Sequence, residues 1–549
     1  MTEVPADEGR ARRGPPSAGQ GSGRSLPAVV IVLLIVGIGL RVWPLVEKSG
    51  YTHDGAISYL SATGNQGTWE VLRAAHAAPF ATWAPVAEWR DLLSVSEAAT
   101  LRSIAADLTH HDVHPPLYFW MLHFAVWAVG VHPWVGGALN LLLSVMAGAA
   151  LYGLARSLSL DRVPAALVAG VWAVSPAVVY TSTEARMYVL LQLVIVAFVW
   201  VLVRFADSEA SPGARVYALL ALATAAGMLT HYYFAFVALS GVVGLAVVGW
   251  NEFRSRVFEA CGAMAAGVAL MVAVHPQFWR SFLNTNELYS SPGFADIPAR
   301  LWVSAWSFGQ FVTLSRRVGG AGVVLVVAAV AICVLWPRTR ARMSRFWRQM
   351  DRPVRMTLLT GALLAATVVF TLVRLGPPPA NAARYPAPVW PFVALAVVVL
   401  LSHLSDRRLR GLVWAVPVVL ALMSGFATAR GHGPALEPML PSGTFVGAER
   451  VAVDTGGRGM VIRLMESIDP QIRLFAAEQA WMIRHPDAWL GDLREGDMVI
   501  SVATVWNTPE GRRRLVEMLA ERYSFELAAG GPEEHTVIYS VQGVRRDFD

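Results

Sequence analysis

Residues 187–203 read MYVLLQLVIVAFVWVLV, seventeen positions without a charge. At about 1.5 Å per residue, a helix of that length comes close to covering the ~30 Å hydrocarbon layer of a bilayer. The same reading applies to residues 26–46, 257–274 and 320–336, and comparable runs recur through the first 430 positions. Composition agrees: 55% of residues are hydrophobic, 15% are charged and the mean hydropathy is +0.47, outside the usual range of soluble domains. The expected fold is a polytopic α-helical membrane protein with about eleven crossings.

The formal charge of +6 and the isoelectric point near 9.5 do not indicate nucleic acid. The arginines fall in short loops between apolar runs, which is the positive-inside pattern, so the basic excess is assigned to topology and to anionic lipid headgroups. Cys261 and Cys333 are the only cysteines, and both lie inside apolar runs. Neither a disulfide framework nor a thiolate metal site is expected.

Orientation follows from the charges. Residues 1–24 are rich in Gly, Pro, Ser and Arg and read as a disordered cytoplasmic tail. The run 26–46, read as an anchor rather than a cleaved leader, then carries the chain out of a plasma (inner) membrane. The transmembrane domain occupies 25–430 and includes a long first external loop, 47–115, whose stretch 83–106 is expected to form helices on the membrane surface. Arg254, Arg256 and the basic run 337–355 are cytoplasmic, so 257–274 exits and 320–336 returns, with 301–314 interfacial. Thereafter 356–373 exits, 389–402 returns, 406–410 turns inside and 412–429 exits. Within 116–154 two apolar pieces must make one net crossing, so 117–129 is expected to dip and return. Residues 438–549 differ in character, with β-rich runs at 450–454, 498–504, 525–529 and 536–541. Thr508, Pro509 and Glu510 supply an N-cap, a first-turn proline and an acid for the helix 511–523. This C-terminal part is expected to be a small external α/β domain.

With this topology, the unusual polar residues collect on the outer face: His53 and Asp54, then Asp112 and His114, then Glu184 and Arg186, then His231 and Tyr232, then Arg384 and Tyr385. Ionisable groups at membrane depth are costly and usually face a cavity, so their convergence marks a site. Bland readings exist for each: a loop acid for Asp54, a solvated turn for the histidines, headgroup snorkelling for Arg186, an aromatic belt for His231 and Tyr232, a loop cation for Arg384. Glu184 and Arg186 stand two apart and do not face each other on a helix, so a local ion pair does not account for them. A divalent metal is the weaker reading of the His/Asp cluster, because HxxxH with scattered acids is not a specific ligand pattern; no metal ligands are assigned.

The words DVHPPLYF at 112–119, STEARMY at 182–188, THYY at 230–233 and RYPAP at 384–388, after an early acid at Asp54, resemble the bacterial relatives of protein O-mannosyltransferases and the lipid A aminoarabinose transferase, members of the GT-C superfamily. The resemblance covers roughly 26–429. It implies a GT-C-like fold, a polyprenyl-phosphate sugar donor, an acceptor (protein, lipid or glycan) held in an external cavity, and inverting displacement; mannose is among the sugars it allows. It also implies Asp54 as catalytic base. Many relatives have Asp-Glu where this chain has Asp54-Gly55, so the second acid is absent or its part passes to Asp112. The residue chemistry is compatible: a carboxylate can take the acceptor proton, Arg186 and Arg384 can grip a departing phosphate, and His53, His114, Glu184, His231, Tyr232 and Tyr385 can bind substrate. A flippase of lipid-linked sugar and an inactive envelope scaffold are the rival readings; a flippase predicts broken helices meeting at mid-membrane.

Overall fold

The structure is a computed structural model that describes residues 28–48, 50–207, 212–287, 296–374, 384–402, 412–429, 444–502, 507–529 and 536–544. The tail 1–24, the turn 406–410 and residues 377–383 of the proline-rich loop lie outside the described residues.

The chain begins with α1 (Ala28–Val46). The first loop then folds as α2 (His53–Ala62), α3 (Gln66–Ala75), strand β1 (Ala84–Pro85), α4 (Val86–Asp91) and α5 (Leu101–His111). Next come α6 (Leu117–Val129), α7 (Val135–Ser157), α8 (Arg162–Ala173), α9 (Pro176–Ser182), α10 (Tyr188–Asp207) and α11 (Ala214–Thr230). Val135–Ser157, Tyr188–Asp207, Arg254–Val274 and Arg352–Arg374 are long and apolar enough to cross a membrane, and α8 with α9 forms a bent pair that passes the same test together, as a broken span or a re-entrant loop. Shorter apolar helices, among them Val30–Val46, Ala214–Thr230 and Trp414–Ala429, stand beside them.

The bend between α8 and α9 is 61°. Pro176 has no N–H to give and its ring clashes with the preceding turn, so the helix breaks there. Ser175 Oγ donates instead to Phe311 O at 2.8 Å. Helical bonding runs from Phe234 to Val274, but its two halves run in opposite directions. In the first half Gly241 lies against Phe198 of α10. The second returns along α11: Arg256 reaches Phe205 O at 2.9 Å, Tyr217 donates to Glu259 at 2.6 Å, and His275 lies 3.4 Å from the Tyr232 hydroxyl. The reversal falls near Arg254, where the arginines place it.

The short helix α6 runs beside α2. His123 Nδ1 lies 2.7 Å from Ala62 O, and Tyr59 donates to Pro133 O at 3.1 Å just past the end of α6. The middle of α6 and the turn that follows it therefore lie against α2.

Strands β2 (Arg450–Val453), β3 (Arg473–Ala476), β4 (Met498–Val502), β5 (Tyr523–Ala529) and β6 (Thr536–Val544) complete one six-stranded sheet of order β1-β3-β2-β4-β6-β5. The centre, β3-β2-β4, is parallel, and β1, β5 and β6 are antiparallel to their neighbours. Successive residues of a strand point to opposite faces. Ala452 and Phe475 face the helices Gln479–Arg484 and Pro509–Arg522, whereas Val451, Val453, Leu474 and Ala476 join the core that contains Trp69, Phe80 and Trp89 of the first loop.

The structure corrects one expectation. Residues 83–106 do hold helices, α4 and the start of α5, but 84–85 is a strand of the sheet, and Trp89 is fully buried against Phe80 with ring centres 4.8 Å apart, so α4 packs on protein. The amphipathic pattern of this stretch meets a protein face, which removes the same apolar area from water as a lipid face would.

Candidate active site

Asp54 lies in the first turn of α2. Thr52 caps that helix, its Oγ1 accepting from Gly55 N–H at 3.0 Å. A carboxylate there is steadied by the positive end of the helix dipole. A Cβ at position 55 would come 2.7 Å from Thr52 Oγ1, so Gly55 suits this cap.

Two guanidiniums converge on Asp54. Arg384 Nη1 pairs with Oδ2, and Arg186 Nη2 approaches the same oxygen at 3.5 Å. His53 Nδ1 is 3.0 Å from Oδ1. Arg384 also reaches Glu184 Oε1 at 3.4 Å, so residues distant in sequence meet in one carboxylate–guanidinium cluster.

The turn between α9 and α10 sets Glu184 and Arg186. Asn140 of α7 donates to Glu184 O and, at 3.3 Å, to Arg186 O, and Lys48 Nζ donates to Thr183 O at 3.0 Å. Gly136 lets α7 meet this turn: a Cβ there would overlap that of Ala185. Glu184 is 1% exposed and Arg186 5%. Burial pushes Glu184 up to about 7, against the charges of Arg186 and Lys48. Glu184 Oε2 and Arg186 Nε and Nη1 are buried with no hydrogen-bond partner among the described residues. Two unmet guanidinium donors beside a carboxylate favour an incoming anion.

A second station adjoins the first. His114 Nδ1 lies 2.5 Å from Asp112 Oδ1, and the His114 and His231 rings are 5.9 Å apart, edge to face. Burial alone would raise Asp112, but the charge and hydrogen bond of His114, then Arg186 and Arg458, hold it well below the usual carboxylate range. Burial, then the charges of His114 and Arg186, lower His231 to about 3. Its Nδ1 accepts from Tyr233 N–H at 3.1 Å, so the ring proton is assigned to Nε2.

The structure thus gathers His53, Asp54, Asp112, His114, Glu184, Arg186, His231 and Arg384. Tyr232 turns toward the segment after Val274, packing on Phe278 with ring centres 5.3 Å apart, and Tyr385 packs on the apolar core beside Arg384. Among the described residues no group of three or more His, Cys, Asp or Glu side chains has the spacing of a metal site.

Lys48 and Asn140 escaped sequence reading because they act on backbone carbonyls, which no motif records. The same holds for the C-terminal part. Arg458 donates to His111 O at 2.7 Å and pairs with Glu70 at 3.1 Å. Gly459 lies against His53, where a Cβ would come within 2.5 Å of the ring. The run Gly456-Gly457-Arg458-Gly459 was the available signal, a glycine-rich turn opening a helix.

Residues 113–279 match the family model described as dolichyl-phosphate-mannose-protein mannosyltransferase. That segment contains His114, Glu184, Arg186 and His231. A comparison with curated proteins finds no match. Among solved structures the chain is similar to ArnT from Cupriavidus metallidurans bound to undecaprenyl phosphate, with 14% identity and a TM-score of 0.51 over 93% of this chain and 97% of that one. It is similar to the apo state of the same protein with 13% identity and a TM-score of 0.50 over the same shares. The chain has several helices long and apolar enough to cross a membrane and shares the fold of ArnT, and its residues 113–279 match the dolichyl-phosphate-mannose-protein mannosyltransferase model.

Proposed function

We propose that this protein transfers a sugar from a polyprenyl-phosphate donor to an acceptor on the outer face of the membrane, by inverting displacement. The observation that carries the reading is the cluster in which Arg384 and Arg186 share Asp54 while Arg186 keeps two donors unmet. The undecaprenyl phosphate bound to ArnT supports a donor of that class.

In this reading the guanidiniums serve two anions in turn. Before substrate arrives they neutralise Asp54, which makes it a poor base. The donor phosphate competes for Arg186 and Arg384 in bidentate fashion and so frees the carboxylate. Asp54 then takes the acceptor hydroxyl proton while the acceptor oxygen attacks the anomeric carbon from the face opposite the phosphate. The bond from that carbon to the phosphate oxygen breaks, and the polyprenyl phosphate leaves with the electron pair, its growing charge met by the arginines. Asp112 with His114, and His231 through Nε2, orient the sugar or acceptor.

The test is transfer from a labelled polyprenyl-phosphate sugar by the purified protein in liposomes. Labelled acceptor with inverted anomeric configuration is the expected product. Movement of the labelled lipid between leaflets without transfer would establish a flippase instead, and neither activity would leave a scaffold. Mannose is the first donor to try, on the strength of the family match.

A further inference from the structure

A second cation with unmet donors lies on α1, against the end of α8. Arg41, near the outer end of α1, is 2% exposed. Its Nη1 donates to Gly37 O at 2.6 Å and to Ala173 O at 2.7 Å. Ala173 ends α8, where the break before Pro176 leaves last-turn carbonyls short of helical donors, so part of the role of Arg41 is to cap that break. The guanidinium carbon also stands 5.9 Å from the centre of the Trp172 ring, a cation–π contact, but Nε and Nη2 are buried without a hydrogen-bond partner among the described residues.

Arg41 lines one end of a groove between α1, α7 and α8 with a volume of about 410 Å³, in the range of small-molecule sites. Gly37, Gly148, Ala166 and Ala169 keep it open. Along α7 it extends from Leu141 to Tyr152, about 16 Å at the rise of an α-helix. Its rim residues Ile38 and Val145 are 44% and 52% exposed, so in a membrane spanned by these helices the groove opens to lipid. Ser144 lines it too, but its hydroxyl is spent on Asn140 O at 2.7 Å. Tyr152 adds a hydroxyl at the other end of the α7 stretch, and Arg41 is the one charged residue among those that line the groove.

An apolar channel about as long as an acyl chain, with a buried cation at one end, selects for hydrocarbon joined to an anion. Unpaired charge at membrane depth is costly, and a guanidinium fits a phosphate oxygen pair. We propose that this groove binds one anionic phospholipid of the surrounding bilayer, an acyl chain along α7 and the phosphate drawn to Arg41. Its lining shares no residue with the carboxylate–guanidinium cluster around Asp54.

Native mass spectrometry of the purified full chain, after equilibration with equal amounts of phosphatidylglycerol and phosphatidylethanolamine, reads the site directly. One retained phosphatidylglycerol is expected. Arg41→Gln should lower its occupancy at least tenfold, and so should Gly148→Leu, which fills the groove while leaving Arg41 and its cap in place. A Cβ at 148 has only Trp172 nearby, at 3.9 Å, so the second variant should keep the parental melting temperature even where the first loosens α8. Arg384→Gln should keep the lipid. The proposal is overturned by no retained lipid, by equal occupancy in the parent and Gly148→Leu, by equal retention of the zwitterionic lipid, or by displacement of phosphatidylglycerol by added undecaprenyl phosphate, which would make the groove part of the donor site.

Discussion

Asp54, Glu184, Arg186 and Arg384 are coupled, so substitutions at each should differ in kind. Asp54→Asn is nearly isosteric; transfer should fall at least ~10²-fold, the low end for a positioned base, while melting in detergent stays near parental. If transfer survives in Asp54→Asn and is lost in Asp112→Asn, the base lies at the second station. Arg384→Ala should weaken donor binding by roughly 1.5–3 kcal/mol, the size of a hydrogen bond to a charged group. Arg384→Lys should recover little of it, since an ammonium cannot span two oxygens; donor titration of both variants is the check. Glu184 gives a pH signature. Its folded pKa of about 7 lies above the ordinary 4.5, so between those values the folded state keeps a proton that the unfolded chain has lost. Its stabilising share is therefore full below about 4.5 and is lost as pH rises through about 7. The melting temperature should decline over that window, and Glu184→Gln should flatten the decline; equal slopes in both proteins would remove Glu184 from the account.

At the level of elements, the site depends on how closely helix ends approach. The α7 N-terminus meets the Glu184–Arg186 turn only because position 136 has no side chain, and its N–H donates to the Tyr59 hydroxyl at 2.6 Å. Gly136→Val must push that turn away, and a displacement of about 1 Å in positioned groups costs on the order of 10²-fold in rate. Transfer should fall by about that factor with helical circular dichroism unchanged; parental activity would show that the turn moves freely. The sequence words HPPLY and EARMY were legible because their ionisable residues break apolar runs. The partners that fix them were not, since Asn140 and Lys48 look like ordinary residues near the ends of apolar stretches. The reading of 83–106 erred for a related reason: an amphipathic pattern reports that one face is buried and says nothing about what buries it.

Over the whole molecule, the first loop and the C-terminal strands share one sheet and one core, with Trp69 donating to Gly456 O at 3.3 Å and Trp89 to Leu474 O at 3.4 Å. This unit lies at the end of the bundle that holds Asp54, so both should be on one side of the membrane. In a protein lacking Cys261 and Cys333, a cysteine at Leu527, 52% exposed on β5, should react with an impermeant thiol reagent in intact cells. One at Ser344 on the exposed face of Pro337–Gln349 should not, and the reverse pattern would invert the proposed orientation. The sequence alone determined that the chain is built largely of apolar helices and which polar words belong together, because hydrophobic length and motif order are properties of a linear string. Tertiary structure decided that Arg384 pairs with Asp54 across 330 positions of sequence, that β1 joins β3, and that Gly459 meets His53. These are contacts between segments far apart in the chain, set by which faces pack together, and no local pattern of residues encodes their register.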